Sequence, residues 1–266
     1  MGKVIAIANQ KGGVGKTTTA VNLSACIGKK GKKALIIDID PQGNTTSGLG
    51  LDPREVTLST YDCLVDDVPI KDIIVKTDYD NLWICPANIS IAGAELELAD
   101  KESREYRLKE AILQVKDEFD FIFIDCPPSL GLITINSLAA AESVLIPIQC
   151  EFYALEGLSQ LTKTIKRIKQ TYNKGLAIEG VLLTMFDSRT NLSVQVVDEV
   201  KKYFGATVYK SVIPRNVRLS EAPSFGQPII AYDKSSRGAD CYMKLAKEVI
   251  VANRKKKPLK ETKISE

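Results

Sequence analysis

Short apolar runs recur along the chain, and stretches with helical spacing separate them. The runs occupy residues 4–8, 34–37, 82–85, 121–124, 143–148, 178–184 and 207–212. Several of them are continuous rather than alternating, which is typical of strands that helices cover on both faces. In the clearest helical stretch, leucine or isoleucine recurs at positions 155, 158, 161, 165 and 168. This alternation predicts an α/β fold: a single domain with a doubly wound, mostly parallel sheet, helices on both faces, and ligands at the carboxyl ends of the strands.

A glycine-rich turn joins the first apolar run to a helical stretch that we place at residues 17–28. Residues 11–18 read Lys-Gly-Gly-Val-Gly-Lys-Thr-Thr. Glycines let backbone N–H groups close around an anion, and the start of the helix adds unpaired donors and partial positive charge. In this order Lys16 supplies charge for the β- and γ-phosphates, and the hydroxyl of Thr17 is placed to bind Mg²⁺. The turn therefore predicts a nucleotide-phosphate site.

The same turn departs from the usual phosphate-loop pattern G-x-x-x-x-G-K-[ST]. Gln10 stands where the first glycine belongs, while the pair Gly12-Gly13 and a second lysine, Lys11, come early in the loop. One phosphate chain needs one lysine. Lys11 is therefore either a solvated loop charge or a residue with a second role.

Acidic residues end two further apolar runs. Asp38 and Asp40 close the run before Pro41, and Asp125 closes the run before Cys126. A carboxylate at the carboxyl end of a strand beside the phosphate loop can hold Mg²⁺ through water, and we assign that role to Asp125. Asp40 is the candidate for orienting the attacking water and for contacting Mg²⁺ through its hydration shell. Asp38 is expected to act within its strand, holding the side of the phosphate loop.

Composition narrows the chemistry that the chain can perform. Its lack of histidine excludes histidine general-base catalysis and a histidine-ligated zinc site. Its six cysteines are scattered without a C-x-x-C pair, so we expect buried, reduced thiols in a cytoplasmic protein. No apolar stretch approaches the roughly 20 residues that span a bilayer. Hydrolysis, if the chain performs it, relies on carboxylates, lysines and a metal.

Charge divides the chain into a near-neutral domain, residues 1–253, and a basic tail, residues 254–266. The tail has six Lys or Arg and two Glu, whereas the body before it has 30 basic and 31 acidic residues. A body this neutral needs a local basic patch to bind nucleic acid. The tail lacks apolar periodicity, which predicts disorder. It either adds weak, salt-sensitive attraction to DNA or serves solubility alone.

Three motifs resemble those of a known family. KGGVGKTT, IDIDPQGNTTSGLG and FIDCPPSLG are similar to the deviant Walker A, A′ and B motifs of the ParA/MinD superfamily of P-loop NTPases. The later segments PIQCEFYALEGLSQL, GVLLTMFDSRTNLS and VIPRNVRLSEAPSFGQPI resemble the chromosomal ParA (Soj) branch, so the likeness spans roughly residues 1–252. It implies an ATPase that uses ATP and Mg²⁺ and forms a face-to-face homodimer when ATP is bound. Lys11 would reach the partner's nucleotide, and Gly12 would let the two backbones approach closely.

The resemblance also implies the remaining site residues. Those that match nucleotide-binding positions are Gly13, Val14, Gly15 and Thr18 in the loop, and Met185, Pro214, Arg215 and Asn216 around adenine, with Thr184 before them. Arg189 and Arg218 match residues that hold the DNA backbone, although composition alone would make them solvated arginines. The basic face of the helix at residues 163–169 is either a further DNA contact or a solvated face.

The function implied by this resemblance is DNA partitioning. An ATP-bound dimer would bind double-stranded DNA nonspecifically, and hydrolysis stimulated by a ParB-type centromere-binding protein would release it. The role would be chromosome or plasmid segregation by a cytoplasmic, nucleoid-associated protein without membrane contact.

Three other functions use similar folds. A MinD-like membrane-cycling ATPase needs an amphipathic C-terminal helix, for which the tail offers only Leu259 and Ile264. An iron–sulfur carrier needs cysteines that bridge a cluster between subunits, and Cys126 beside Asp125 is poorly placed for that. A metabolic kinase or ligase would leave Lys11 and Gly12 unexplained.

Overall fold

The computed structural model describes residues 2–151 and 154–254. The strands in this part of the chain are β1 (Lys3–Ile7), β2 (Ala34–Asp38), β3 (Val75–Lys76), β4 (Leu82–Cys85), β5 (Phe121–Asp125), β6 (Ser143–Gln149) and β7 (Ala177–Thr184). They form one sheet in the order β3-β4-β2-β5-β1-β6-β7. Every neighbouring pair is parallel except β3 with β4. The predicted doubly wound, mostly parallel sheet is confirmed.

Helices cover both faces of this sheet. They are α1 (Lys16–Lys29), α2 (Asn44–Gly48), α3 (Thr60–Val65), α4 (Ile70–Ile73), α5 (Ile91–Glu97), α6 (Arg107–Leu113), α7 (Leu132–Ala140), α8 (Ala154–Thr171), α9 (Asn191–Phe204), α10 (Val217–Glu221), α11 (Ile229–Tyr232) and α12 (Arg237–Ala252). Short 3₁₀ helices cover Gly205–Thr207 and Ala222–Phe225. Helices α1 and α12 share one face, whereas α6, α7 and α8 lie on the other.

Alternate residues of β1 feed the two hydrophobic cores. Val4 and Ala6 belong to the core on the α7 side, and Ile5 and Ile7 to the core beneath α1 and α12. All four side chains are inaccessible to solvent. The continuous apolar run at residues 4–8 therefore reflects burial on both faces, as its pattern predicts.

Strand order places the acidic strand ends close to the phosphate loop. β5 lies between β1 and β2, and the Cα atoms of Asp38 and Asp125 are register partners in neighbouring parallel strands. Parallel strands end at one edge of a sheet, so the loop after β1 and both carboxylates share the carboxyl edge.

The predicted strand at residues 207–212 is wrong. Its start lies in a 3₁₀ helix, and the rest makes only an isolated bridge from Val208 to Val181. The side chain of Glu248 on α12 explains the difference, because it accepts hydrogen bonds from the backbone N–H of Lys210 and of Ser211, at 2.9 and 2.8 Å. A side-chain carboxylate thus takes the donors that a strand would use. Strand β3 was missed because both of its residues are exposed.

Other predictions concern thiols, the tail and the basic helix. All six cysteines are free; five are buried and Cys241 is half-buried, which confirms the expectation of buried thiols. The tail beyond Arg254 and the side chain of Leu155 lie outside the described residues. Within the described chain, the helices are too short or too polar to cross a bilayer.

Candidate nucleotide-binding site

The phosphate loop runs from the end of β1 to Lys16, where α1 begins. Gly13 and Gly15 have φ angles of 71° and 89°, a left-handed region that glycine enters without strain. Gly15 caps α1 without a side-chain hydrogen bond, so the first amides of a 14-residue helix remain available to an anion. The hydroxyl of Thr184 donates to the carbonyl of Val14 over 2.8 Å and ties the loop to the end of β7. Sequence and structure therefore agree on an anion site.

Lys16 is folded into this loop. Its side chain is 7% exposed, and its Nζ donates to the backbone carbonyl of Lys11 over 3.2 Å. Burial lowers the pKa of Lys16, while the carboxylates of Asp125 and Asp40 oppose that shift. The ammonium group therefore already lies within the turn that would surround a phosphate.

Asp125 is the centre of a buried hydroxyl–carboxylate cluster. The hydroxyls of Thr17 and Thr45 both donate to its Oδ2, over 2.8 and 2.7 Å. Its Oδ1 is buried and has no hydrogen-bond partner among the described residues. Burial is the main cause that raises the pKa of Asp125. An orphaned buried carboxylate oxygen next to a threonine hydroxyl suits a hard cation with oxygen ligands, so these residues fit Mg²⁺.

This cluster is not a complete metal cage. Among residues 2–151 and 154–254, no three Asp, Glu, Cys or His side chains converge to hold a cation. Mg²⁺ in a nucleotide site usually takes one or two protein oxygens and fills its other positions with water and phosphate. The donor set here matches that pattern.

Asp38 holds α2 rather than the phosphate loop, so its predicted role is wrong. Its carboxylate accepts hydrogen bonds from the Thr46 backbone N–H, the Thr46 hydroxyl and the Asp40 N–H, at 2.9, 2.7 and 3.2 Å. Burial, and then the charge of Asp125, raises the pKa of Asp38. Sequence reasoning missed Thr45 and Thr46, which use the two carboxylates to fix the segment after Asp40.

Asp40 lies two residues beyond the end of β2 and is 8% exposed. Its Oδ1 accepts the Gln42 N–H over 3.0 Å. Its charge acts on Lys16 together with that of Asp125. Asp40 thus lies at the site, and its role in positioning water stays a prediction.

A cavity of about 350 Å³ adjoins the loop and collects the residues predicted to surround adenine. Its lining includes Gly15, Thr18, Thr184, Met185, Pro214, Arg215 and Asn216. Met185 has a φ of 51°, an uncommon left-handed conformation for a non-glycine residue. Sequence reasoning missed Tyr242, which lines the cavity from α12 with its hydroxyl 3.2 Å from that of Thr19. No local signal on the buried face of an amphipathic helix distinguishes this tyrosine from a core residue.

A larger cavity, of about 740 Å³, opens at the opposite edge of the sheet. Lys3, Lys32 and Asp120 are among its lining residues. Lys32 pairs with Asp120 over 3.0 Å, and none of the predicted site residues lines this cavity. Cavity volume alone would therefore place the ligand site at the wrong edge of the sheet, away from the phosphate loop.

The side chain of Lys11 is not used by its own phosphate loop, although Lys16 takes the backbone carbonyl of Lys11. The Nζ of Lys11 lies 3.5 Å from Oε2 of Glu151, and the side chain is 37% exposed. A Cβ atom added to Gly12 would have no neighbour within 4 Å, so nothing described in the subunit forbids a side chain there.

The two candidate DNA-binding arginines are exposed, but each is paired with acids. Arg189 contacts Asp187 through two hydrogen bonds of 2.9 and 2.6 Å, which hold the pKa of Asp187 well below its usual range. Arg218 pairs with Glu221 at 2.9 Å and lies 3.6 Å from Asp233. The basic positions of α8, residues 163, 166, 167 and 169, are exposed. A DNA phosphate would have to compete with these carboxylates for the arginines.

Known proteins resemble the chain along nearly its whole length. Residues 2–178 match a family model described as an AAA domain. The sporulation initiation inhibitor protein Soj of Bacillus subtilis is 63% identical over 249 residues, 94% of this chain and 98% of that protein. The chromosome partitioning protein ParA of Myxococcus xanthus is 52% identical, covering 97% of this chain and 91% of its own. A crystal structure of cobyrinic acid a,c-diamide synthase from Mycobacterium smegmatis, with bound ATP analog and magnesium, has a TM-score of 0.84 at 38% identity and 94% coverage of both chains.

Proposed function

Since the chain belongs to the ParA/MinD superfamily of deviant Walker A ATPases, in the branch of Soj and chromosome-partitioning ParA, we propose that its ATP-bound dimer holds DNA and that hydrolysis releases it. Nucleotide binding follows from the loop and the adjoining cavity. The amides at the start of α1 and the ammonium of Lys16 bind the phosphates, and the cavity beside Met185 takes the adenine. The phosphate loop and the cavity form one continuous surface, because Gly15 and Thr18 belong to the loop segment and also line the cavity.

Hydrolysis depends on the carboxylates at the strand ends. Thr17 and Asp125 would hold Mg²⁺, with Asp40 contacting it through water; the cation supplies positive charge to the phosphate oxygens. Lys16 remains beside the same oxygens throughout. Asp40 orients the attacking water, because it is the carboxylate of the group that keeps some exposure.

Dimerisation gives Lys11 its role. After leaving Glu151, its ammonium binds the nucleotide phosphates of the facing subunit, and the absent side chain of Gly12 leaves room for the partner's backbone. A site completed in this way couples the dimer to ATP, since each subunit then contributes a charge to the other's nucleotide.

DNA binding depends on the same dimer. One near-neutral subunit with Arg189 and Arg218 binds a phosphate backbone weakly, whereas two copies linked in a dimer gain avidity. A ParB-type protein that speeds hydrolysis would release this dimer from DNA, which is the cycle that chromosome or plasmid segregation requires.

The observation that carries the proposal is that the two lysines of one loop make different contacts. Lys16 is buried inside the loop, and Lys11 is directed to Glu151 outside it. We expect Lys16→Ala to lose ATP binding, and Lys11→Ala to bind ATP as a monomer. Light scattering with and without ATP and Mg²⁺ tests both, followed by DNA retention on the same samples. An ATP-dependent dimer of Lys11→Ala equal to the parent would contradict the proposal.

No observation favours the other functions as strongly. The 63% identity to Soj exceeds the 38% identity to the diamide synthase. The segment that would form a membrane-binding helix lies outside the described residues, so sedimentation with anionic vesicles is the direct test of a MinD-like cycle.

A further inference from the structure

Helix α5 carries apolar residues on two faces. Ile91, Ala94 and Leu98 are fully buried against the core. Ile89 and Leu96, in contrast, are 70% and 81% exposed. Ala92 and Ala99 are exposed as well, and the four exposed positions, which we call the α5 stripe, are 89, 92, 96 and 99. Their spacing of three and four residues places them along one side of the helix and its flanking turns.

Burial in the subunit does not explain the stripe. Single exposed leucines are common on protein surfaces, but aligned ones mark surfaces that meet a partner. Nothing described in the chain covers Ile89 or Leu96, although the opposite side of the same helix is packed tightly. The stripe is therefore an unpartnered helix face.

Negative charge borders this face. Residues 86–102 include four acids, Glu95, Glu97, Asp100 and Glu102, and one base, Lys101. All four acidic residues are exposed, while Nζ of Lys101 donates to the backbone carbonyl of Val65. An apolar stripe bordered by acids complements a helix that has leucine-like residues on one side and lysine or arginine beside them.

A second copy of the chain is a poor occupant. A stripe that met its own copy across a twofold axis would bring the acids of both subunits together. Like charges that face each other repel, and Lys101, the base in this segment, already donates to the carbonyl of Val65. A basic segment of a different protein meets no such penalty.

The stripe is connected to the candidate catalytic centre. Glu95 of α5 accepts the Ile133 N–H over 3.3 Å, at the start of α7. A Cβ on Gly131 would lie 1.9 Å from the Glu95 carboxylate, so α5 touches the loop that runs from Asp125 to α7. Leu130, on that loop, is 44% exposed. A molecule bound to the stripe would therefore contact the loop that follows Asp125, directly at Leu130 or through Glu95.

We propose that the α5 stripe and Leu130 form the docking surface for a basic, amphipathic helix of the protein that stimulates hydrolysis. This inference rests on the proposed function, since it assigns a surface to the partner of the same ATPase cycle. The apolar residues provide the contact, the acids select a basic helix, and Glu95 links the occupant to the loop after Asp125.

The test compares basal and stimulated ATP turnover, with the full-length cognate ParB-type protein as the probe. Three variants of the full chain are needed: Ile89→Ser with Leu96→Ser, Asp100→Lys with Glu102→Lys, and the control Val251→Ser. Val251 is 52% exposed on α12, on the other side of the sheet. Its replacement by serine therefore removes an exposed apolar side chain, as the stripe variant does, but away from the α5 stripe. Thermal melting checks that each variant folds.

We expect the stripe variant and the charge variant to raise the half-maximal partner concentration at least tenfold. Their basal turnover, ATP-dependent dimer and DNA retention should equal those of the parent, and Val251→Ser should behave as the parent throughout. If the partner stimulated both variants as strongly as the parent, the proposed docking surface would be wrong, while the proposed function would stand. Loss of the ATP-dependent dimer in the stripe variant would show that the face meets a second copy. A parent that neither dimerises with ATP nor hydrolyses it would instead contradict the proposed function.

Discussion

Lys11 and Glu151 form an ion pair within one subunit, with 3.5 Å between Nζ and Oε2. If Lys11 binds the partner's nucleotide in the dimer, this pair must break first. Glu151→Gln should then let the ATP-dependent dimer form at a lower protein concentration. An exposed ion pair contributes at most about 1 kcal/mol, and a symmetric dimer breaks one pair in each subunit, so the gain should not exceed about thirtyfold.

Light scattering over a concentration series measures this gain, best with Asp40→Ala included in both proteins to suppress turnover. Lys11→Ala is the control, because it removes the pair and the ligand together and should give no dimer. A weaker dimer for Glu151→Gln would mean that Glu151 contributes to the interface rather than competing with it.

Asp40→Ala should retain ATP and stall hydrolysis. Proton transfer and water positioning by one side chain contribute about 10²–10⁴-fold to a rate, so turnover should fall at least about a hundredfold. The stalled dimer should stay on DNA. Single-turnover hydrolysis and nucleotide binding measure the two properties separately, with the exposed Asp72→Ala as the matched control. Parental turnover would exclude Asp40 from the reaction.

The pairing of Arg189 with Asp187 predicts opposite effects of two substitutions. Arg189→Ala should weaken DNA retention of the ATP-bound dimer and leave basal ATP turnover intact. Asp187→Asn should strengthen retention, because it frees the guanidinium from a charged competitor. DNA binding across a salt series measures both, and the arginine variant should also show a shallower salt dependence. Lys163→Ala, on the exposed face of α8, tests separately whether that basic face is a further DNA contact.

Buried carboxylates predict how the metal-free protein responds to pH. Burial raises the pKa of Asp38 and Asp125 above the unfolded value near 4. As pH rises from 4 toward neutrality, the unfolded chain releases protons that the folded chain retains. The folded state therefore loses stability over this window.

Urea unfolding in EDTA at pH 5 and at pH 7 measures this dependence. Asp125→Asn should flatten it, because the amide does not titrate, while its hydrogen bonds from Thr17 and Thr45 can be retained. An equal pH dependence in the variant and the parent would show that Asp125 titrates normally in the folded state.

Residue pattern predicts the central strands well because burial on both faces leaves a continuous apolar run. It fails at residues 207–212, where the apolar pattern is real but Glu248, far along the chain, takes the backbone donors. It also fails for Val75–Lys76, whose exposed side chains leave no pattern at the sheet edge.

The residues of the candidate site also fall into two groups, those that local sequence predicts and those that only the fold brings together. Lys16, Thr17 and Asp125 are predictable because their chemistry depends on local order: strand, glycine turn, helix, and an acid at a strand end. Tyr242 and Thr45 are not, since only the fold brings them to the cavity and to Asp125. The ion pairs of Arg189 and Arg218 likewise require the folded positions of nearby acids.

The carboxylate of Glu248 interrupts the backbone pairing with β7 in the segment that continues into Pro214 and Asn216. The interruption lies between the hydrogen bonds from Tyr209 N–H to Val181 and from Ile213 N–H to Leu183. Two side-chain hydrogen bonds to amides open more readily than a continuous ladder, so this segment should exchange its amide hydrogens earlier than β7 beside it. A bound base would close it and slow that exchange. Glu248, which does not line the cavity, would then influence how tightly this segment holds a bound base.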